Sequence, residues 1–181
     1  MPRQANNPWS DTTDLDQLIA AVASGSTDAL ERLYRLTGTG VYSFALSILK
    51  NSMDAEDVLQ DCYIQIHRAA GSYKSQRKPM AWILTITKNL CYRRLRDANR
   101  AVALAQYDRN SLLAEDQRLD AEDRLVLQGC MELLTDEERQ IVVLHVVSGL
   151  KHRQIAELMD LKLSTVLSKY RRAIEKMKNH F

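Results

Sequence analysis

From Asp14 to the C-terminal end, apolar residues recur three and four positions apart, broken only by short polar or glycine-bearing stretches. That spacing places them on one face of an α-helix. With only 6 Gly and 3 Pro in 181 residues, little else punctuates the chain. It therefore reads as all-α, folded rather than disordered, since 45% hydrophobic and 27% charged residues match globular averages. The length suits one ordinary domain or two small ones.

The first helix carries Leu15, Leu18, Ile19 and Val22, and Ser24-Gly25-Ser26 ends it. A second follows with Ala29, Leu30, Leu33 and Tyr34, and Gly38-Thr39-Gly40 is expected to separate it from a third bearing Val41, Phe44, Ala45, Ile48 and Leu49. Asp54 opens a fourth helix with Val58, Cys62 and Ile66 inward and acids in its first turn, where the helix dipole favours them. Gly71 to Gln76 breaks the pattern. A long helix then runs from about Met80 to Asp97, entered through Pro79. Residues 1–13 are read as a tail, 14–97 as one helical domain, 98–121 as a flexible linker and 122–181 as a second domain, with separate cores on either side of the linker.

In the second domain, Thr135-Asp-Glu-Glu138 is a capping box, in which the hydroxyl accepts from the third helical amide and the glutamate reaches back to the cap amide. The helix it opens ends at Gly149. Two further helices, His152 to Met159 and Ser164 to about Lys178, are separated only by Asp160-Leu-Lys-Leu163, the spacing of a helix-turn-helix. At about 100° per residue, Thr165, Ser168, Lys169, Arg172 and Lys176 share an arc, with Val166, Tyr170, Ala173, Ile174 and Met177 turned inward. Hydroxyls near the helix start suit base edges, and longer cations further on suit phosphates.

Charge is segregated along the chain, although 25 Lys+Arg nearly balance 23 Asp+Glu. Arg68 to Arg100 holds nine bases against Asp97 alone, and Lys162 onward holds six against Glu175. Asp54, Glu56, Asp57 and Asp61 gather without a base. Two basic surfaces and one acidic one fit a chain that holds nucleic acid at two places and a basic protein at a third. Cys62, Cys91 and Cys130 are too scattered for a disulfide framework or a zinc site, and no cofactor is expected. No stretch is apolar enough to span a membrane, and the start lacks the apolar core of a signal peptide, so a cytoplasmic location is expected.

Three segments, Thr135-Asp-Glu-Glu-Arg-Gln-Ile141, Gly149-Leu-Lys-His-Arg-Gln-Ile-Ala-Glu157 and Ser164-Thr-Val-Leu-Ser-Lys-Tyr-Arg-Arg-Ala173, resemble region 4 of bacterial sigma factors. Asp54-Ala-Glu-Asp-Val-Leu-Gln-Asp61, Lys78-Pro-Met-Ala-Trp-Ile-Leu-Thr-Ile-Thr-Lys-Asn-Leu90 and Arg93-Arg-Leu-Arg96 resemble their region 2. Both regions joined by a short linker look like the extracytoplasmic-function (ECF) type. The resemblance implies a promoter-specificity subunit with no catalysis of its own. It implies that Asp54, Asp57, Gln60, Asp61 and Ile64 grip the clamp helices of the RNA polymerase largest subunit. It implies that Tyr73, Lys74, Lys78, Trp82, Lys88, Asn89, Arg93 and Arg96 handle minus-10 DNA, with Arg77 and Arg94 also on the backbone track. It places Arg153, Ser164, Thr165, Ser168, Lys169, Arg171 and Arg172 on minus-35 DNA, and makes an anti-sigma factor an expected partner. Asp160 stands where the family usually has Gly, Leu163 where it usually has an acid, and Leu167 where a polar residue is usual. These leucines put the minus-35 contacts in question and could form a patch for an inhibitory partner. Two rival readings remain open: a free-standing helix-turn-helix regulator with a sensor bundle in front, and a helical metalloenzyme built on Asp57 and Asp61, which share a helix face at i, i+4.

Overall fold

The computed structural model describes residues 12–75, 77–102 and 121–179. The expected tail lies almost wholly outside the described residues, as do residues 103–120 of the expected linker at 98–121; its ends, 98–102 and 121, are helical and belong to the last turns of one helix and the start of the next. Eight α-helices are described: α1 (Thr12–Ala23), α2 (Thr27–Leu49), α3 (Ser52–Ala69), α4 (Pro79–Val102), α5 (Ala121–Leu133), α6 (Asp136–Val142), α7 (His152–Met159) and α8 (Leu163–Lys178). A 3-10 turn over Ala70–Ser72 follows α3, and a π-helical stretch over Val143–Val147 continues α6. Among the described residues no helix is long and apolar enough to cross a membrane.

Local chemistry fixes most boundaries. The Ser26 hydroxyl accepts from the Ala29 amide at 3.2 Å to start α2, and Asn51 Oδ1 accepts from the Asp54 amide at 2.9 Å to start α3. Between them Lys50 adopts a left-handed conformation, φ 55°, that stops α2. The capping box opens α6 as expected, with Glu138 N donating to Thr135 Oγ1 and Thr135 N to Glu138 Oε2. Gly149, at φ 69°, turns the chain after the π-helical stretch.

One expected break is absent. Gly38-Thr39-Gly40 does not divide residues 27–49; α2 runs through it as one 23-residue helix. Two helical glycines cost about 1 kcal/mol each against alanine, and tertiary contact offsets this. Thr37 Oγ1 donates to Leu33 O at 2.7 Å and is 2.6 Å from the Tyr63 hydroxyl of α3, tying the helix to α3 just before the glycines. A Cβ on Gly40 would lie 2.8 Å from Met80 Cε and 3.1 Å from Ser148 Oγ, so the glycine lets the backbone approach its neighbours more closely than a residue with a side chain could without moving them.

Helices α1–α4 pack around α2, with Phe44, Leu46, Leu59, Ile66, Ile83 and Leu84 fully buried. On α4 the deepest apolar positions are Ile83, Leu84 and Cys91, with Thr87 equally buried, while Trp82, Ile86, Leu90 and Leu95 are only partly buried. Helices α5–α8 pack around α6 and its π-helical continuation, burying Leu127, Ile141, Leu144, Leu150 and Val166. The two bundles are distinct, but their cores are not separate. Buried residues from both form one contiguous cluster, because α2 lies against α6 and the π-helical stretch, and α4 lies against α7. Ser148 Oγ donates to Gly40 O at 3.3 Å across this junction. Lys50 pairs with Asp136 at 2.8 Å on its rim.

Candidate nucleic-acid interface

Three surfaces gather the residues singled out by the sequence. The first is α3. Its apolar stripe, Val58, Leu59, Cys62 and Ile66, is buried, which forces Asp57, Gln60, Asp61 and Ile64 outward. Ile64 is 50% exposed and Met53 76% exposed. Met53 lies four residues before Asp57 on the same ridge; sequence reasoning missed it, although the i, i+4 spacing was the available signal. Arg94 of α4 bridges the base of this ridge, donating from Nε to Asp54 Oδ1 at 2.8 Å and from Nη2 to Asp57 Oδ2 at 2.6 Å. Burial alone would lower the Arg94 pKa, but the hydrogen bonds and charges of Asp54 and Asp57 outweigh it and raise it. Arg94 is thus engaged within the fold and is no longer free to join the backbone track. It also occupies one carboxylate of the Asp57 and Asp61 pair on which the metalloenzyme reading rests. Among the described residues no group of three or more His, Cys, Asp or Glu side chains could hold a metal ion.

The second surface is the 71–78 loop with α4. Tyr73 donates its hydroxyl to Asp16 of α1, and its ring sits 4.7 Å from that of Trp82. Trp82 is partly buried, so its ring both packs and faces outward. Beside the pair lies a pocket of about 410 Å³, walled by Tyr73, Lys74, Lys78, Trp82 and Thr85 on one side and Gln154, Glu157 and Leu158 of α7 on the other. Lys78 Nζ is 2.7 Å from Glu157 Oε2. Lys88 Nζ donates to Leu158 O at 2.6 Å, placing a cation on the C-terminal end of α7 where the helix dipole is negative. Lys74, Asn89, Arg93 and Arg96 are exposed. The bundle docking therefore engages two cations of the expected minus-10 set and covers one wall of the pocket.

The third surface is the α7–turn–α8 unit. Asp160 takes the left-handed conformation, φ 54° and ψ 46°, that ends α7, and Leu161 N donates to Ala156 O at 2.9 Å to close the turn. Aspartate thus makes the turn at a modest conformational cost. Val166 and Ala173 are buried, and the stripe opposite them is Ser164, Ser168 and Arg171, all exposed, with Arg172 exposed on one flank and Arg153 exposed on α7. The expected arc is rotated from this stripe. Thr165 is partly buried, Lys169 pairs with Glu137 at 2.7 Å and Lys176 with Glu138 at 2.7 Å, so that flank lies on the start of α6. The Glu138 carboxyl is almost completely buried. Burial opposes its ionisation, but Lys176 and the Thr135 cap prevail and lower its pKa.

Behind α8, His145 and His152 stack at 4.2 Å, and both meet the edge of Tyr170 at 5.0 and 4.8 Å. Seven residues apart and on two elements, they had no sequence signal as a pair. Burial first, and then the neighbouring His145, lower the His152 pKa.

The family described as Sigma-70 region 2 matches residues 33–101, and Sigma-70 region 4 matches residues 124–177. The chain is 32% identical to the ECF RNA polymerase sigma factor SigK of Mycobacterium sp. (strain KMS), over 93% of this chain and 91% of that protein. It is 27% identical to SigK of Mycobacterium tuberculosis (strain ATCC 25177 / H37Ra), over 93% and 94%. Among solved structures, CnrH bound to the cytosolic domain of CnrY superposes with a TM-score of 0.63 at 24% identity, covering 92% of this chain and 96% of that one. The sigma factor RpoE of Bartonella quintana, bound to the anti-sigma factor NepR, superposes with a TM-score of 0.67 at 20% identity, covering 82% and 94%. Matches on both halves, in this order, disfavour a free-standing helix-turn-helix regulator. The chain belongs to the ECF group of sigma-70-family RNA polymerase sigma factors, the subunits that direct RNA polymerase to promoters and start transcription there.

Proposed function

We propose that the bundle ending with α4 and the bundle beginning with α5 act as separate promoter-handling units joined through residues 103–120, and that each surface described above has one task. The α3 ridge, with Asp57, Gln60, Asp61, Ile64 and Met53 outermost, docks on the clamp helices of the polymerase largest subunit. Acids facing a basic partner speed encounter and fix register, while exposed Ile64 and Met53 supply apolar contact. Asp54 belongs to the same ridge, held in place by Arg94.

The loop and α4 open the minus-10 segment. Tyr73 and Trp82 replace lost base stacking, the wall of the adjoining pocket formed by the loop and α4 receives an unstacked base once α7 has withdrawn, and Lys74, Lys78, Lys88, Arg93 and Arg96 follow phosphates, with Asn89 for hydrogen bonding. Because Lys78 and Lys88 are engaged by α7 in the docked form, α7 must leave α4 before this surface meets DNA. The α8 stripe enters the major groove of the minus-35 segment: Ser164 and Ser168 reach base edges, and Arg171, Arg172 and Arg153 reach phosphates or guanine edges, while Thr165 and Lys169, on the flank that Glu137 holds, border the groove and reach it only if that ion pair opens. Sigma factors are not enzymes in the usual sense, and this chain carries out no chemistry of its own. It works in the cytoplasm, under control of an anti-sigma factor, as RpoE is found bound to the anti-sigma factor NepR.

The observation that carries the reading is the segregation itself: an exposed acidic ridge on α3, and two cation-bearing surfaces on α4 and α8 that lie elsewhere. The test is reconstitution with core polymerase. Asp61→Ala should weaken core binding while leaving binding of an isolated minus-35 duplex intact. A fluorescent base in the minus-10 segment should report strand opening only when core is present. Opening by the chain alone, or loss of both activities in Asp61→Ala with the fold intact, overturns the assignment.

A further inference from the structure

The outward side of α8 carries two leucines that folding does not require. Leu167 is 45% exposed and Leu163 36% exposed. They are i, i+4 neighbours in the first turns of the helix, the end that meets base edges in a helix-turn-helix. At about 100° per residue, Leu167 lies within about 60° of both Ser164 and Arg171, so it borders the stripe opposite Val166 and Ala173. Leu163 extends the same edge toward the turn. Beside them the helix holds Arg171 and Arg172, with no acid from Leu163 to Arg172, and Lys162 precedes it. An occupant of this face must therefore be anionic and yet offer something apolar to Leu167. Duplex DNA does both. In the major groove the one apolar group on a base edge is the C5-methyl of thymine, set among donors and acceptors that serine and arginine can meet.

We infer that Leu167, supported by Leu163, is a specificity residue that selects thymine in the minus-35 element by packing on its methyl group. This rests on the assignment of α8 to the minus-35 major groove. Ser164, Ser168 and Arg171 read or position through hydrogen bonds, whereas Leu167 contributes only shape and burial. A leucine in place of a polar residue thus converts one base position from hydrogen-bond readout to methyl readout.

The experiment uses holoenzyme reconstituted from the full chain and core polymerase. Duplexes randomised across the minus-35 segment are selected by binding, and each enriched thymine is then replaced by deoxyuridine, which removes the methyl and keeps every hydrogen-bonding group. At one position or more the wild-type holoenzyme should prefer thymine and lose about fourfold in affinity on the uracil change, the effect of leaving one methyl-sized group unburied. Leu167→Ser holoenzyme should show no such loss and no thymine preference there, while its other preferences stay. Leu163→Ser should reduce the loss in part. Both leucines are exposed, so the variants should keep the wild-type thermal midpoint. Absence of any enriched thymine, no uracil penalty, or an equal penalty in Leu167→Ser overturns the inference. Arg171→Ala separates the two levels. If it weakens duplex binding while the leucine test fails, only the methyl readout falls; if it leaves binding unchanged, the assignment of α8 to the groove falls with it.

Discussion

The junction between the bundles turns on Gly40, and Gly40→Leu should open it. Any side chain here starts 2.8 Å from Met80 Cε and 3.1 Å from Ser148 Oγ, with Ser148 Cβ at 3.4 Å. The Met80 methyl is the free end of a flexible chain and can swing aside for alanine. Three further carbons of leucine cannot be accommodated without moving Ser148, whose hydroxyl then loses Gly40 O. Overpacking costs about 1–3 kcal/mol and the lost buried hydrogen bond about 1 kcal/mol. The docked arrangement should weaken by about 2–4 kcal/mol, or about 30- to 1,000-fold. The ion pairs Lys50–Asp136 and Lys78–Glu157 cannot compensate, because both are well exposed and such pairs contribute about 0–1 kcal/mol. Helix α2 itself gains about 0.5–1 kcal/mol by losing a helical glycine, so the front bundle should not unfold earlier. Distances between spin labels on cysteines replacing Arg35 and Glu175, both exposed, report the outcome: one narrow distribution in the wild type, a broad and longer one in Gly40→Leu. The same variant should bind minus-10 single strand more readily, since Lys78 and Lys88 are released from α7. A narrow, unshifted distribution in Gly40→Leu would refute close backbone packing as what holds the bundles together.

Arg139, only 5% exposed, donates to Cys130 O, Met131 O and Leu134 O and pairs with Asp136 at 2.9 Å. Arg139→Met leaves three carbonyls at the end of α5 without this donor and should lower unfolding free energy by about 3 kcal/mol in urea titration; a loss below about 1 kcal/mol contradicts the bonding scheme. His152 is held below its ordinary value of 6.5 by burial and by His145, so the folded chain binds fewer protons there than the unfolded one. The associated stability is complete above about pH 6.5 and is lost as pH falls through the lowered folded value. Urea midpoints should drop between about pH 7.5 and about pH 5.5, and His152→Phe should flatten that drop; an unchanged slope removes His152 as its source. Burial pushes the thiols of Cys62, Cys91 and Cys130 up to about 12, so all three should resist a thiol reagent at neutral pH until the chain unfolds. Rapid native-state modification of any of them contradicts its burial.

The sequence by itself determined what depends on neighbours a few residues apart. The three- and four-residue spacing, the Thr135–Glu138 box, the stop at Gly149 and the four-residue turn before α8 are local signals, and each element formed where its signal lay. They sufficed for the all-α class and for recognising two sigma regions. Tertiary structure decided whatever depends on residues far apart in the chain. Gly38-Thr39-Gly40 reads as a break because its helical cost is local, while the contacts with Tyr63, Met80 and Ser148 that offset it come from three other segments. Lys169 and Lys176 pair with Glu137 and Glu138 of α6, because a helical wheel gives relative angles but not which flank a neighbouring carboxylate will claim. Arg94 joins the ridge on α3, and His145 stacks on His152, for the same reason: periodicity records which side of a helix is apolar, and only packing records what that side, and the one opposite, will meet.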